Sequence, residues 1–571
     1  MSNRILYDSF DRRFKTPFGC VRENEKCRIG IEYPFSCAVK KILLVIERED
    51  GFSMAVPLHN AESAPDGDYL RAECEFSLYE RGLYFYFFRF VTDESTFSLF
   101  RQNGHDTNME DGEKWQLSCI PADFRTPDCF KGRTMYQIFP DRFAKCGDAD
   151  LGGKLTPFSI HENVDEPPVE GPDADGLWNN DFFGGNFRGI ESRLDYLASL
   201  GVGMIYLNPI FKAYSNHRYD TADYMKPDEM LGTEEDFSRL CEKAKSLGIK
   251  IILDGVFSHV GENSIYFDRY GVFGGGAYSD PDSPYCKWFN FESYPDKYEA
   301  WWDVKSLPCV KELEKSFSDF IVNGEGSVIS HWMRLGASGF RLDVADELPD
   351  EFIAMIRKRI KEIDPDGLLI GEVWEDASNK YSYGKQRRYF SDGELDGVMN
   401  YPFRNSIVGF VCGEISPAQF VSEINGIYEN YPKDALDCCM TFLSTHDTPR
   451  ILTVLEDKLG EGAPDRAPDT LLTAYALQFF LPGIPCVYYG DEVGMRGGKD
   501  PFNRAFFRED GEYAGKIRTH VSRLSSLRNS TEVLRTGGLD VSSDGDVLTV
   551  TRFLGDSKIS LVCRDGGFEI V

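Results

Sequence analysis

No run of about 18 consecutive apolar residues occurs anywhere in the 571-residue chain, which excludes a membrane-spanning helix of ordinary composition. An apolar leader is lacking too: Met1-Ser2-Asn3-Arg4 runs straight into mixed polar sequence, so no signal peptide is expected and a soluble, cytoplasmic protein is. Basic residues are few beside acidic ones, 63 against 93, and the formal net charge is -30. So negative a chain repels polyanions, which argues against nucleic acid or an acidic membrane as partner and implies a neutral ligand. The 15 cysteines are odd in number and show no CxxC pair or zinc-like spacing. They read as buried thiols in a reducing compartment, not as a disulfide framework or a metal centre. A glycine-rich phosphate loop is missing as well, so nothing supports a kinase or another nucleotide-binding protein.

What the chain does have is charge at the ends of short apolar runs. In Gly339-Phe340-Arg341-Leu342-Asp343 a strand would send alternate side chains to one face, putting Arg341 beside Asp343. A guanidinium lowers the pKa of a neighbouring carboxylate, and an ionised carboxylate at the end of a buried strand is a candidate nucleophile, with a structural ion pair as the plainer alternative. Glu372 follows Leu368-Leu369-Ile370-Gly371 and stands near Trp374, and an acid against an aromatic wall is expected to stay protonated near neutral pH. The run Met440 to Thr445 opens onto His446-Asp447, and Lys250 to His259 carries Asp254 and His259. Each alone reads as a helix cap or a solvated loop charge. Four such groups at the C-terminal ends of four apolar runs point to one shared pocket. Aromatics make up 14% of the chain, and flat rings suit the apolar faces of sugars, although most must simply be core.

Periodicity divides the chain. Residues 1–125 hold strand-like runs such as Lys41–Glu47 and Gly82–Phe90 and no long helical pattern, which predicts an N-terminal β-sandwich. From Met135 short apolar strands alternate with helices, for example the stripe Phe237, Leu240, Cys241, Ala244, Leu247. Repeated βα units mean a parallel sheet, and eight of them an α/β fold of the (β/α)8 TIM-barrel type, placed at residues 126–529. Between His259 and Glu312 about fifty residues exceed any ordinary βα loop, so an inserted small domain is expected at 260–311, after strand 3 and over the barrel mouth. Residues 530–571 read as a short C-terminal β-domain.

The four strand-end segments resemble the four signature regions of the α-amylase superfamily of glycoside hydrolases, most closely its neopullulanase, cyclomaltodextrinase and maltogenic amylase branch. Further matches are Met135-Tyr136-Gln137-Ile138-Phe139-Pro140-Asp141-Arg142-Phe143, Phe183-Gly184-Gly185-Asn186, Leu207-Asn208-Pro209, His217-Arg218-Tyr219-Asp220 and Tyr488-Tyr489-Gly490-Asp491-Glu492, and Asp346-Glu347 decides the branch. The resemblance implies a retaining mechanism with Asp343 as nucleophile, Glu372 as acid and then base, and Asp447 as the third acid, the first two ~5–5.5 Å apart. It further implies hydrogen bonds to the sugar from His259, Arg341 and His446, and stacking by Tyr219.

The implied activity is hydrolysis of α-1,4 bonds, with some α-1,6 bonds, in maltooligosaccharides, cyclodextrins or pullulan. A transglycosylase of the same fold is the alternative. A non-catalytic relative is the third reading, and the retention of all three acids argues against it. No cofactor is required on this reading and no metal ligand is assigned. The family's calcium sites depend on an Asn where Ser258 stands, and on Asn and Asp ligands where this chain has Cys146-Gly147-Asp148-Ala149-Asp150 and Asn186. Glu375 and Cys309 are further departures, at positions where the family commonly has His and a basic residue. The family's terminal β-domain is usually longer, so either it is abbreviated or the chain is incomplete. A homodimer and a preference for oligosaccharides over starch are also implied. The run Tyr84 to Phe90, with more apolar side chains than one strand face needs, is consistent with such an interface or with a strand buried on both faces.

Overall fold

The structure is a computed structural model that describes residues 4–60, 68–102, 106–108, 112–173, 176–460 and 462–571. Apolar alternation along Lys26–Pro34, Val39–Arg48, Tyr69–Ser77 and Gly82–Thr92 makes extended strands whose inward residues meet in one core. Ile29 and Ile31 face Leu44, Ile46, Tyr86 and Phe88 there. The strand Ser53–Asn60 pairs with Val39–Arg48 and, through His59 and Asn60, with Tyr69–Ser77, so it belongs to both layers of the sandwich. The aromatic run is consumed within the chain. Tyr84, Tyr86, Phe88 and Phe90 enter the core, and Phe87 on the other face is also buried, stacked on Phe100 at 5.1 Å.

Eight short strands then form the parallel sheet: β1 (Thr134–Ile138), β2 (Val202–Leu207), β3 (Lys250–Gly255), β4 (Gly339–Leu342), β5 (Leu368–Gly371), β6 (Gly397–Val398), β7 (Met440–Phe442) and β8 (Ile484–Tyr488). Their order is β6-β5-β4-β3-β2-β1-β8-β7, and a parallel bridge between Met399 and Met440 closes the sheet into a barrel. Strands covered on both faces are apolar throughout, as a barrel requires. Met135, Met204, Ile252, Ile370, Met440 and Cys486 fill its interior, while Ile205, Leu253 and Leu369 pack outward.

Helix Glu234–Ser246 shows how local signals set the surrounding ring. Thr233 and Asp236 form a reciprocal capping box, and Phe237, Leu240, Cys241 and Ala244 face inward. Leu247, expected in the same stripe, ends the helix and is exposed. The segment after β3 carries the small hairpin Phe291–Ser293 with Lys297–Tyr298 and an internal bridge Ala300–Pro308, and the bridge His259–Cys309 ties its end to the chain leaving β3. A four-stranded meander, Gly538–Asp544 to Gly567–Ile570, follows the last barrel helices.

Buried charges fasten both flanking sheets to the barrel. Lys15 donates to Glu429 at 2.8 Å, with Ser9 on the other carboxylate oxygen at 2.9 Å. Arg552 donates to the carbonyls of Phe480 and Leu534, both at 2.9 Å, and of Gly537 at 2.8 Å. A charge so deeply buried is tolerated only because its partners are present. Every cysteine is unpaired, and among the described residues no helix is long and apolar enough to cross a membrane.

Candidate active site

Arg341 points from β4 into the barrel mouth and is fully buried. Its Nη1 donates to Asp254 at 2.7 Å and to Asp343 at 2.8 Å, and its Nη2 donates to Glu372 at 2.6 Å. Strand alternation brings Arg341 and Asp343 together as expected, while the parallel registers Asp254–Arg341 and Leu342–Gly371 set Asp254 and Glu372 on either side. Val344, a β-branched residue forced into the left-handed region (φ 34°, ψ 69°), turns its N–H onto Glu372 at 2.9 Å. Backbone strain of this kind persists only where the surroundings fix it. Trp374 donates its indole N–H to the other oxygen of Glu372 at 3.0 Å.

A second set joins this one through Asp254. Tyr206 and Tyr219 donate to its Oδ2 at 2.6 and 2.9 Å. Tyr219 Oη also meets His446 Nε2, and its ring lies parallel to the imidazole at 5.5 Å. Gln137 Nε2 reaches His446 Nδ1 at 2.9 Å, which leaves the imidazole proton on Nε2, 3.2 Å from Asp447 Oδ2. His259 Nε2 contacts the Tyr219 carbonyl at 3.2 Å and Ser258 Oγ lies 3.0 Å from its Nδ1. Arg504 flanks Asp447 at 3.7 Å and donates to the His446 carbonyl at 3.1 Å. All the site residues named from sequence are thus linked by direct contacts.

Electrostatics follow from crowding. Burial drives the carboxyls of Asp254, Asp343, Glu372 and Asp447 above their ordinary range, Asp343 well above it. The expectation that Arg341 would depress Asp343 fails for a simple reason. The guanidinium lowers each pKa, but it is shared among three carboxylates within 2.8 Å, and their mutual repulsion adds to the desolvation. The acids therefore titrate as a group. For Glu372, burial raises the pKa, whereas Trp374 lowers it by donating a hydrogen bond instead of acting as an inert wall. Burial also pushes His259 down to about 4 and His446 well below its usual value, so both imidazoles are neutral.

At one of the places where the family holds calcium, the segment 146–150, protein groups engage the oxygens. Asn186 caps helix Phe187–Ser192 and its amide donates to the carbonyls of Cys146 and Gly147, both at 3.3 Å, so a donor faces the oxygens a metal would need. Asp148 turns to Lys145 at 3.1 Å.

Several members of this network escaped sequence reasoning. Arg504 lies outside every strand-end motif, and Tyr206 stands in the apolar run Val202–Leu207, where nothing sets it apart. The role of Asp254 as a shared acceptor was not assigned, although its alignment with Arg341 on the adjacent strand was a usable signal.

A parallel eight-stranded barrel whose strand ends gather three acids around one arginine defines the class, and residues 137–533 match the alpha-amylase catalytic-domain model. The chain belongs to that family. It is 35% identical over 618 aligned positions to an amylopullulanase of Thermoanaerobacter thermohydrosulfuricus, covering 97% of this chain but 41% of that protein. A cyclomaltodextrinase of Geobacillus thermopakistaniensis is 33% identical, over 72% of this chain and 65% of its own length. Among solved structures, the cyclic alpha-maltosyl-(1→6)-maltose hydrolase of Arthrobacter globiformis aligns with a TM-score of 0.65 at 29% identity, covering 76% of this chain and 91% of that one. The chain therefore spans less than half the length of the amylopullulanase it matches from end to end.

A raised folded-state pKa binds protons that the unfolded chain releases. The stability it contributes is complete below the unfolded value, about 3.9 for Asp, and is lost as pH rises through the folded value. Asp343→Asn cannot titrate. Its Tm should therefore gain on that of the unsubstituted protein as pH rises from 5 to 9, and a difference that stays constant or shrinks would contradict the assignment.

Proposed function

We propose that the protein is a retaining glycoside hydrolase that cleaves α-1,4 bonds, and some α-1,6 bonds, in maltooligosaccharides, cyclodextrins or pullulan. The observation that carries this reading is the single guanidinium of Arg341 holding Asp343 and Glu372 side by side, with Asp447 reached through His446. In the protonation state of the coupled acids that reacts, Glu372 carries the proton and Asp343, beside the Arg341 guanidinium, is the anion: Asp343 attacks the anomeric carbon while Glu372 gives its proton to the leaving oxygen, and Glu372 then takes a proton from the incoming water. Forming the glycosyl ester removes the charge of Asp343 from the cluster, so Glu372 loses a repelling neighbour between the two steps and its pKa falls toward that of a base. Asp447, His446 and His259 hold hydroxyls of the reacting ring, Arg341 orients the two carboxyls, and Tyr219 stacks on the sugar. Hydrolysis is preferred to transfer because the similar proteins named above are a cyclomaltodextrinase and a hydrolase.

No metal enters this mechanism, and on this reading the segment 146–150 needs none, because the Asn186 amide donates to the Cys146 and Gly147 carbonyls. A homodimer rests on the resemblance alone, because the aromatic run that suggested an interface is buried within one chain. Light scattering at micromolar concentration decides it, a monomer mass refuting the dimer. Unpaired thiols throughout support a cytoplasmic location.

The decisive experiment is turnover of pullulan and maltooligosaccharides by Asp343→Asn, which should lose several powers of ten in kcat while remaining folded. Retained turnover would refute the nucleophile. Separately, excess chelator should leave the Tm of the unsubstituted protein unchanged, and a fall reversed by calcium would refute the metal-free reading.

A further inference from the structure

Residues 372–380 carry the proton donor Glu372 and its hydrogen-bond partner Trp374, and among these described residues none lies in a helix or strand. A segment without a backbone ladder of its own is fixed by what it touches. Part of what it touches belongs to the N-terminal sandwich. The sandwich strand Trp115–Ile120 is buried along its whole length. Trp115, Leu117 and Cys119 face the sandwich core, whereas Ile120 on the other face packs into the barrel's own cluster. That second face looks at the barrel, and it carries a glutamine.

Gln116 is buried there, and an amide side chain at that depth is costly unless both of its ends are bonded. Both ends go to the segment after Trp374. Its Nε2 donates to Ser378 Oγ at 2.8 Å, and its Oε1 accepts from Asn379 Nδ2 at 2.9 Å. Ser378 passes the link on: its hydroxyl donates to Asp376 Oδ1 at 2.6 Å and its N–H to the same oxygen at 2.9 Å. A second route ends at the same place. Ser9 and Lys15 of the sandwich grip Glu429, and Cys20 Sγ donates to the Asn430 carbonyl at 3.2 Å. Asn430 Nδ2 then donates to Asp376 Oδ2 at 2.8 Å, and the Ala377 N–H donates to Tyr431 Oη at 2.8 Å. Each oxygen of Asp376 is thus bonded by a residue that the sandwich itself holds, and Asp376 stands directly after the Trp374-Glu375 pair.

Building on the reaction proposed above, we propose that Gln116 is a positioning residue for catalysis: through Ser378 and Asp376 it keeps the Trp374 indole on Glu372, so the sandwich helps to set the proton donor from within the same chain. The direction of the effect follows from the hydrogen bond. An indole N–H on Glu372 Oε1 favours the ionised carboxylate and aims the other oxygen at Arg341 and the Val344 N–H. When the segment is released, the indole leaves, Glu372 keeps its proton to higher pH, and its aim at the leaving oxygen is poorer.

The test is Gln116→Leu, which keeps the bulk and removes the amide. On maltooligosaccharides kcat should fall about tenfold with KM little changed, as for a misplaced catalytic group. The alkaline limb of the kcat/KM profile, which reports the proton donor, should move to higher pH. Trp374→Phe should move that limb the same way, and adding Gln116→Leu to it should move it no further. An unmoved limb in Gln116→Leu overturns the proposal, and so does a double variant in which the two shifts add. Should Gln116→Leu fail to fold, Ser378→Ala cuts the same link from the barrel side and is read by the same outcomes. If the unsubstituted protein hydrolyses no maltooligosaccharide, the reaction proposed above fails, and amide hydrogen exchange decides the positioning. Residues 374–380 should then exchange faster in Gln116→Leu while the barrel strands keep their protection, and unchanged exchange in that segment refutes the link.

Discussion

Everything at the barrel mouth depends on one buried cation. Without the guanidinium of Arg341, Asp254, Asp343 and Glu372 would face one another across a few ångströms of low-dielectric interior, and no arrangement of strands alone would keep them there. Its planar fork bonds carboxylates on three adjacent strands at once, which an ammonium at the end of a flexible stem could not do with the same geometry. Hence the order of causes: barrel register brings the strand ends together, the arginine makes their convergence tolerable, and the remaining crowding raises the carboxyl pKa values.

The rest of the network conserves that arrangement. Val344 takes up an unfavourable backbone conformation and thereby supplies an N–H where Glu372 would otherwise have an empty lone pair. Gln137, His446, Tyr219 and Asp254 form a relay of hydrogen bonds whose neutral imidazole fixes which nitrogen faces Asp447. A half-satisfied network at this depth would be worse than an apolar plug, so each link stabilises its neighbours as well as itself.

Much of this was legible in the residues. The alternation that placed Arg341 beside Asp343, the apolar stripe of Glu234–Ser246 and the excess length after His259 are local patterns, and local patterns survive folding. What was not legible depended on neighbours far away in the chain. Whether Asp343 sits above or below its ordinary pKa turns on how many carboxylates share one cation, which no single strand reveals. That Trp374 donates a hydrogen bond instead of walling off Glu372 is a matter of rotamer. The surplus of apolar side chains in Gly82–Thr92 is consistent with an interface or with a doubly buried strand until its neighbour in the sheet, Thr96–Gln102, is known: Phe100 on that strand stacks on Phe87.

Arg552 has a meaning beyond its hydrogen bonds. Its guanidinium ends among carbonyls contributed by the helix before β8 and by the short helix that leads out of the barrel, so the terminal meander supplies donors to groups that belong to the barrel's own helices. A division near residue 530 is therefore one of sequence and topology but not of hydrogen bonding. The meander behaves as the stopper of the barrel's last helical layer, and exchanging it for another module would require that module to bring an equivalent cation to the same spot.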